Sequence, residues 1–189
     1  TGPKEILLPL GIGGHIDHRL VFAAGLELCH EKNLWDRILF YEDRPYVLIN
    51  GAREVRFMSL GLGETDWPSF FKIIPGYVSS LIYSELVKSQ TSGLISRWYL
   101  AAAALLNAIE LGRMRAEIPD LTSQVIGASD RDFKEIVTLN RAYASQFKAL
   151  YSSEEYFIKK SQNYSQKIAS RPGSYVERYW RGSLVRENK

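Results

Sequence analysis

A glycine-rich segment between an apolar run and a helical pattern constrains the fold of this chain more than any other feature. Residues 6–10 (ILLPL) predict a buried strand that ends in the loop GIGG at residues 11–14. A helix is predicted from near Asp17, and residues 37–41 (RILFY) predict a second buried strand. The helix carries apolar residues at helical spacing: Leu20, Val21, Ala24 and Leu28. A strand, a helix and a strand in this order favour a βαβ unit in a mostly parallel sheet of an α/β fold.

The rest of the chain has a more helical pattern. Residues 53–60 alternate weakly between polar and apolar side chains and predict a further strand. Helices are predicted over about residues 68–88, 94–116, 130–151 and 154–170, and residues 175–180 predict a final edge strand. We therefore divide the chain into part of an α/β core, residues 1–66, and a helical extension packed on it, residues 67–189. The extension is interpreted as a substrate cap or as a subunit interface of a homo-oligomer.

Charge and cysteine content exclude several classes of protein. The 24 basic and 21 acidic residues are spread along the chain, so its formal net charge of +3 does not favour binding to nucleic acid or to a membrane surface. The most apolar stretch, residues 98–109, is shorter than the roughly 20 residues of a membrane helix. The single cysteine, Cys29, excludes an intrachain disulfide and predicts a buried, inert thiol. We expect a cytoplasmic protein.

Two of the three histidines lie at the predicted junction of strand and helix, in the sequence His15-Ile16-Asp17-His18. Ligands of α/β proteins bind in the loops that follow strand ends, and Gly13 and Gly14 let a substrate approach the backbone. Neutral imidazole is a common zinc ligand, and a catalytic zinc usually has three protein ligands and an open position. This segment supplies one or two of them. The spacing alone is equally consistent with ordinary surface histidines.

A resemblance to a known family covers the same residues. Residues 9–21 (PLGIGGHIDHRLV) resemble the second signature of the PIG-L/LmbE-like zinc-dependent N-deacetylases, and residues 40–46 (FYEDRPY) resemble the segment after the next strand in that family. Less specific similarity covers residues 142–146 and 177–180. The resemblance implies a Rossmann-like fold and a zinc-dependent hydrolase. Its substrate would be an N-acyl linear amide on an amino sugar or a natural-product small molecule.

The same resemblance implies the roles of three residues. His18 would be a zinc ligand, His15 an acid or an electrostatic stabiliser of the tetrahedral intermediate, and Asp17 a residue that orients its neighbours. The family's other signature, Ala-His-Pro-Asp-Asp-Glu, supplies the remaining ligands and the general base, and it does not occur in residues 1–189. We expect it on an N-terminal partner fragment that also completes the sheet, unless it is lost in a degenerate member.

Several other residues have a functional and a structural interpretation. Glu42, Asp43 and Arg44 follow a strand end, so they either line the substrate pocket or form a turn with a local salt bridge. Aromatic side chains early in the extension predict either a wall for a sugar or acyl chain, or ordinary core: Trp67, Phe70, Phe71 and Tyr77.

The first residue, Thr1, supports an alternative function. An N-terminal threonine can act as a nucleophile activated by its own α-amine. If a precursor were cut before it, the chain would be a self-processed amide hydrolase or acyltransferase. A third alternative is a non-catalytic scaffold subunit.

Overall fold

Four strands form one mixed sheet in this computed structural model, which describes residues 4–62, 67–84, 88, 92–111, 120–142, 147, 150–169 and 175–183. The strand order is β1-β2-β4-β3. β1 and β2 are parallel, whereas the pairings of β4 with β2 and with β3 are antiparallel. The strands are β1 (Ile6–Pro9), β2 (Ile38–Tyr41), β3 (Asp120–Ala128) and β4 (Tyr175–Ser183). The α/β class is confirmed, but the mostly parallel sheet is not, because one of three pairings is parallel.

In the described ranges, six helices of eight or more residues pack around this sheet. They are α1 (Ile16–Lys32), α2 (Ala52–Ser59), α3 (Trp67–Ile82), α4 (Leu94–Leu111), α5 (Asp130–Ala142) and α6 (Glu154–Ala169). Ser129 caps α5, since its hydroxyl accepts the backbone N–H of Asp132 at 3.2 Å while Asp132 Oδ2 accepts the backbone N–H of Ser129 at 2.9 Å. No helix in these parts of the chain is long and apolar enough to cross a membrane.

The predicted βαβ unit is confirmed as β1, α1 and β2. Helix α1 ends at Asn33, whose φ of 52° is the left-handed conformation that asparagine tolerates at a helix end. The helix lies close to β1 at Gly25, where an added Cβ would lie 2.3 Å from Leu8 Cδ1. The small residue therefore allows the close packing that fixes the start of α1 above the end of β1.

Two predicted strands are corrected by the structure. Residues 53–60 form helix α2 rather than a strand, because the buried residues Ala52, Val55, Arg56 and Ser59 follow helical spacing. The strand at residues 175–180 exists, but it lies between β2 and β3 and is not an edge. Strand β3 was not predicted, since its sequence DLTSQVIGA does not alternate regularly between apolar and polar residues and it pairs with β4 alone.

One main core joins the sheet to α1, α2 and the helices that follow. Leu10, Ile12 and Phe40 are fully buried in it, and Tyr77 and Ala101 contribute from α3 and α4. The core therefore includes residues from both sides of residue 66. A second, smaller cluster around Val137, Tyr151 and Phe157 packs the C-terminal helices together.

Candidate functional site

The loop between β1 and α1 brings the histidine segment to the carboxyl end of the parallel strands. Leu10 N donates to Tyr41 O at 2.9 Å, which extends the pairing of the two strands by one residue. A short 3-10 turn, Ile12–Gly14, then leads into α1, with His15 at its N-cap. Because β2 ends beside this turn, the residues that follow it lie against the histidine segment.

His18 contacts a buried carboxylate. Its Nδ1 lies 2.7 Å from Asp43 Oδ1, and neither atom has another hydrogen-bond partner among the described residues. The Asp43 side chain is fully buried, whereas His18 is about one-third exposed. The other carboxylate oxygen, Oδ2, accepts the backbone N–H of Ile12 at 2.8 Å. Asp43 thus ties the glycine-rich turn to the ring of His18.

Burial determines the ionisation of Asp43. Desolvation raises the pKa of its carboxyl, while the hydrogen bond from Ile12 and the proximity of His18 act in the opposite direction. The pKa of Asp43 is therefore higher in the folded chain than in the unfolded chain. As the pH rises from the unfolded pKa through the folded pKa, ionisation of Asp43 destabilises the fold. A buried group that carries this cost beside a partly exposed histidine is a candidate for function rather than for stability.

His15, His18 and Tyr46 surround one small space. The ring centroids of the two histidines are 5.3 Å apart, and the Tyr46 ring lies 6.2 Å from each of them. Asp17 lies beside His15 with Oδ2 3.8 Å from Nδ1, and its side chain is 76% exposed, so their interaction is weak. Tyr46 was missed in the sequence, although it lies in the segment that follows β2.

No known protein family, characterised protein or solved structure matches this chain.

Glu42 and Arg44, the neighbours of Asp43, make their described contacts with β4 and α6 rather than with the histidines. Glu42 is buried and accepts the indole N–H of Trp180 at 3.0 Å, and burial raises the pKa of its carboxyl. Arg44 donates to Glu177 at 3.1 Å and to Ser161 Oγ at 3.0 Å. Of the three residues, Asp43 thus contacts a histidine, whereas Glu42 and Arg44 contact β4, and Arg44 also contacts α6.

Arg56 is a buried cation beneath the glycine-rich turn, and sequence analysis missed it. It is 5% exposed, its Nε donates to Leu10 O at 2.8 Å, and its guanidinium lies 4.6 Å from the ring centroid of Phe22. An added Cβ at Gly11 would lie 3.0 Å from Arg56 Nη2. Burial lowers the pKa of Arg56 to about 10, and the charge of Asp43 opposes this effect. Arg56 thus supports the turn from below with a positive charge near Asp43.

The described residues do not contain a complete metal site, since no group of three or more His, Cys, Asp or Glu side chains among them is placed to hold an ion. His30 lies elsewhere, edge-on to Trp35 with ring centroids 4.9 Å apart. Cys29 is buried as predicted, and burial raises the pKa of its thiol.

The remaining predicted residues divide into those inside and those outside the described chain. Of the proposed aromatic wall, Tyr77 is in the core and Phe71 is 68% exposed. The side chains of Trp67 and Phe70, and all of Thr1, lie outside the described residues.

Two adjacent glycines provide a matched test of the turn. Gly13 and Gly14 have φ of 80° and 73°, and an added Cβ would lie 2.4 Å from the Tyr46 ring at Gly13 but would meet no atom within 4 Å at Gly14. Gly14→Ala is expected to lower the free energy of unfolding by about 1 kcal/mol through its left-handed φ alone. In Gly13→Ala the new methyl group would also overlap the Tyr46 ring, so the free energy of unfolding is expected to fall by about 3 kcal/mol. Urea denaturation measures both, and equal losses would contradict the role of the Tyr46 contact.

Proposed function

We propose that this chain carries one part of the active site of a zinc-dependent N-deacetylase of the PIG-L/LmbE-like type. The reaction would be hydrolysis of an N-acyl linear amide on an amino sugar or a natural-product small molecule. The contact of 2.7 Å between His18 Nδ1 and the buried carboxylate of Asp43 carries the proposal. The proposal includes a Rossmann-like core in the cytoplasm, completed by an N-terminal partner fragment with the family's other signature.

The pair of His18 and Asp43 fits one ligand position of such a zinc site. A metal-binding histidine usually contacts a carboxylate or carbonyl through one ring nitrogen and the metal through the other. Asp43 engages Nδ1, so Nε2 is the nitrogen left for an ion. Bound zinc would polarise the amide carbonyl and lower the pKa of its water to about 7. The further ligands would come from the partner fragment.

His15 is assigned to the leaving-group side of the reaction. It is 44% exposed and its ring centroid is 5.3 Å from that of His18, so it borders the same space without contacting Asp43. In its protonated form it can donate a hydrogen bond to the oxyanion and then a proton to the departing amine. Asp17, at 3.8 Å, would help to orient the ring.

Metal removal tests the proposal on the complete assembly isolated from its source. We expect about one zinc ion per assembly and release of amine from a panel of N-acetylated amino sugars and related amides. Chelation should abolish this activity, and added zinc should restore it. Mass spectrometry of the same material would identify the partner fragment. An assembly that releases amine without metal would contradict the proposal. A metal-free assembly that is inactive on the panel would favour the scaffold alternative.

Substituting Asp43 tests the role of the buried carboxylate. Asp43→Asn preserves the size of the side chain and an oxygen that can accept the Ile12 N–H, but it removes the charge that faces His18. We expect zinc affinity to fall by about 10- to 100-fold. Folding stability should be retained, because the neutral amide is easier to bury than a carboxylate. Chelator competition and thermal unfolding measure the two quantities, and unchanged zinc affinity in a folded variant would exclude the proposed positioning role.

A further inference from the structure

A second cavity, lined by none of His15, His18 and Asp43, concentrates positive charge. It has a volume of about 670 Å³ and lies between the segment from Val47 to Glu54, helix α6 and strand β4. Four cationic side chains line it against one carboxylate, Glu54; they are Arg53, Lys160, Lys167 and Arg178. The lining therefore has a local formal charge of +3. We call this cavity the basic cleft.

Two carboxylates, Glu54 in the lining and Glu42 near Arg178, do not neutralise the four cations of the basic cleft. Glu54 pairs with its neighbour Arg53, with Nη2 and Oε1 2.5 Å apart. Lys167 donates to the neutral side chain of Asn50 at 3.2 Å. Arg178 lies 4.0 Å from Glu42, which also accepts the indole N–H of Trp180. Grouping cations in one concave site without matching acids is unfavourable unless an anion binds there.

The cations of the basic cleft come from separate elements of the fold. Arg53 belongs to α2, Lys160 and Lys167 to α6, and Arg178 to β4. A ligand in the cleft would therefore meet positive charge from three elements.

A smaller cavity adjoins the basic cleft. It has a volume of about 210 Å³ and shares four lining residues with the cleft: Leu48, Ile49, Asn50 and Lys160. It adds the rings of Tyr83, Tyr151 and Tyr156 to the lining. Aromatic side chains offer apolar faces and, in tyrosine, a polar tip. A ligand that spans both cavities would therefore have an anionic end and an apolar or aromatic end.

We propose that the basic cleft binds a phosphate ester, with the phosphoryl group among the cations and the organic group in the tyrosine-lined cavity. A phosphate monoester carries close to two negative charges at neutral pH and three acceptor oxygens, whereas a carboxylate carries one charge and two oxygens. Four cations around one cavity match the phosphate better. This site is independent of zinc and of the deacetylase proposal.

Calorimetric titration of the full chain with phenyl phosphate, inorganic phosphate and benzoate tests the inference. We expect saturable binding of phenyl phosphate, weaker binding of inorganic phosphate, and the weakest binding for benzoate. Lys160→Gln and Lys167→Gln should each weaken phenyl phosphate by about tenfold, which corresponds to about 1.4 kcal/mol. Lys134→Gln, at an exposed lysine of α5 outside both cavities, should leave the affinity unchanged. His18→Ala should also leave it unchanged, which separates this site from the proposed active site.

Three results would overturn the inference. The first is no saturable binding of phenyl phosphate up to about 10 mM, a generous limit for a ligand of this size. The second is equal weakening by Lys134→Gln, which would show non-specific attraction to a positive protein. The third is benzoate binding as tightly as phenyl phosphate, which would show that a phosphoryl group is not recognised. Thermal unfolding of each variant serves as the control for folding. Both variants should fold, because Lys160 and Lys167 lie on the cleft wall and not in the core.

Discussion

Replacing His18 by alanine is expected to weaken zinc binding to the complete assembly by more than about a hundredfold and to abolish amide hydrolysis. Each ligand of a zinc site contributes on the order of 3 kcal/mol, and 1.4 kcal/mol corresponds to a factor of ten in affinity. The loss should exceed that of Asp43→Asn, which removes only the residue that positions the ligand. Chelator competition followed by amine-release assays on the same preparations measures both effects.

The other two histidines are the controls for His18. His30→Ala should leave zinc affinity unchanged, because His30 packs edge-on against Trp35 and borders no part of the site. His15→Ala should retain zinc but lose turnover, since His15 is assigned to proton transfer and not to the metal. A His18→Ala assembly that keeps its zinc would disprove the assignment of the ligand, and a His15→Ala assembly that loses its zinc would show that both histidines bind the ion.

Local patterns predicted the part of the fold that holds the site. The apolar run at residues 6–10, the glycines and the helical periodicity that follows specify β1, the turn and α1 through interactions close in sequence. The end of α1 at the left-handed Asn33 reflects the same kind of local preference. These elements lie within the first 41 residues, so short-range information was sufficient to place His15 and His18 at a strand end.

Long-range pairing explains what the sequence could not predict. The position of β4 between β2 and β3 depends on partners such as Trp180 opposite Phe40, which local patterns do not encode. Strand β3 has no regular apolar alternation, and its only sheet partner among the described residues is β4. The contact between His18 and Asp43 was missed for the same reason. Residues 15–18 and 42–44 were both recognised as candidates. Asp43 comes to lie buried against His18 only when β1 and β2 pair.

Helix α2 shows how a buried charge can obscure a pattern. The residues that face the core are Ala52, Val55, Arg56 and Ser59, and two of them are polar, so the helical stripe looks like a weak alternation in the sequence. Arg56 could have been found by testing helical spacing without requiring each inward residue to be apolar. Its position beneath the turn predicts that its loss should lower stability substantially.

Arg56→Met is expected to lower the free energy of unfolding by about 3 kcal/mol. The methionine retains most of the stem that packs near Phe22, but it leaves Leu10 O without its donor and Asp43 without a nearby positive charge. Urea denaturation measures the loss. Arg53→Met, one turn earlier on α2 and 28% exposed, is the matched control and should cost about 0–1 kcal/mol, because exposed ion pairs contribute little.

A double-mutant cycle of Arg56→Met with Asp43→Asn separates the charge from the packing. If the buried guanidinium stabilises the turn by offsetting the charge of Asp43, Arg56→Met should cost about 1–2 kcal/mol less in the Asp43→Asn background than in the wild type. The hydrogen bond to Leu10 O is lost in both backgrounds, so the remaining cost measures its contribution. Equal costs in the two backgrounds would show that Arg56 acts on the backbone of the turn alone and not through the carboxylate that contacts His18.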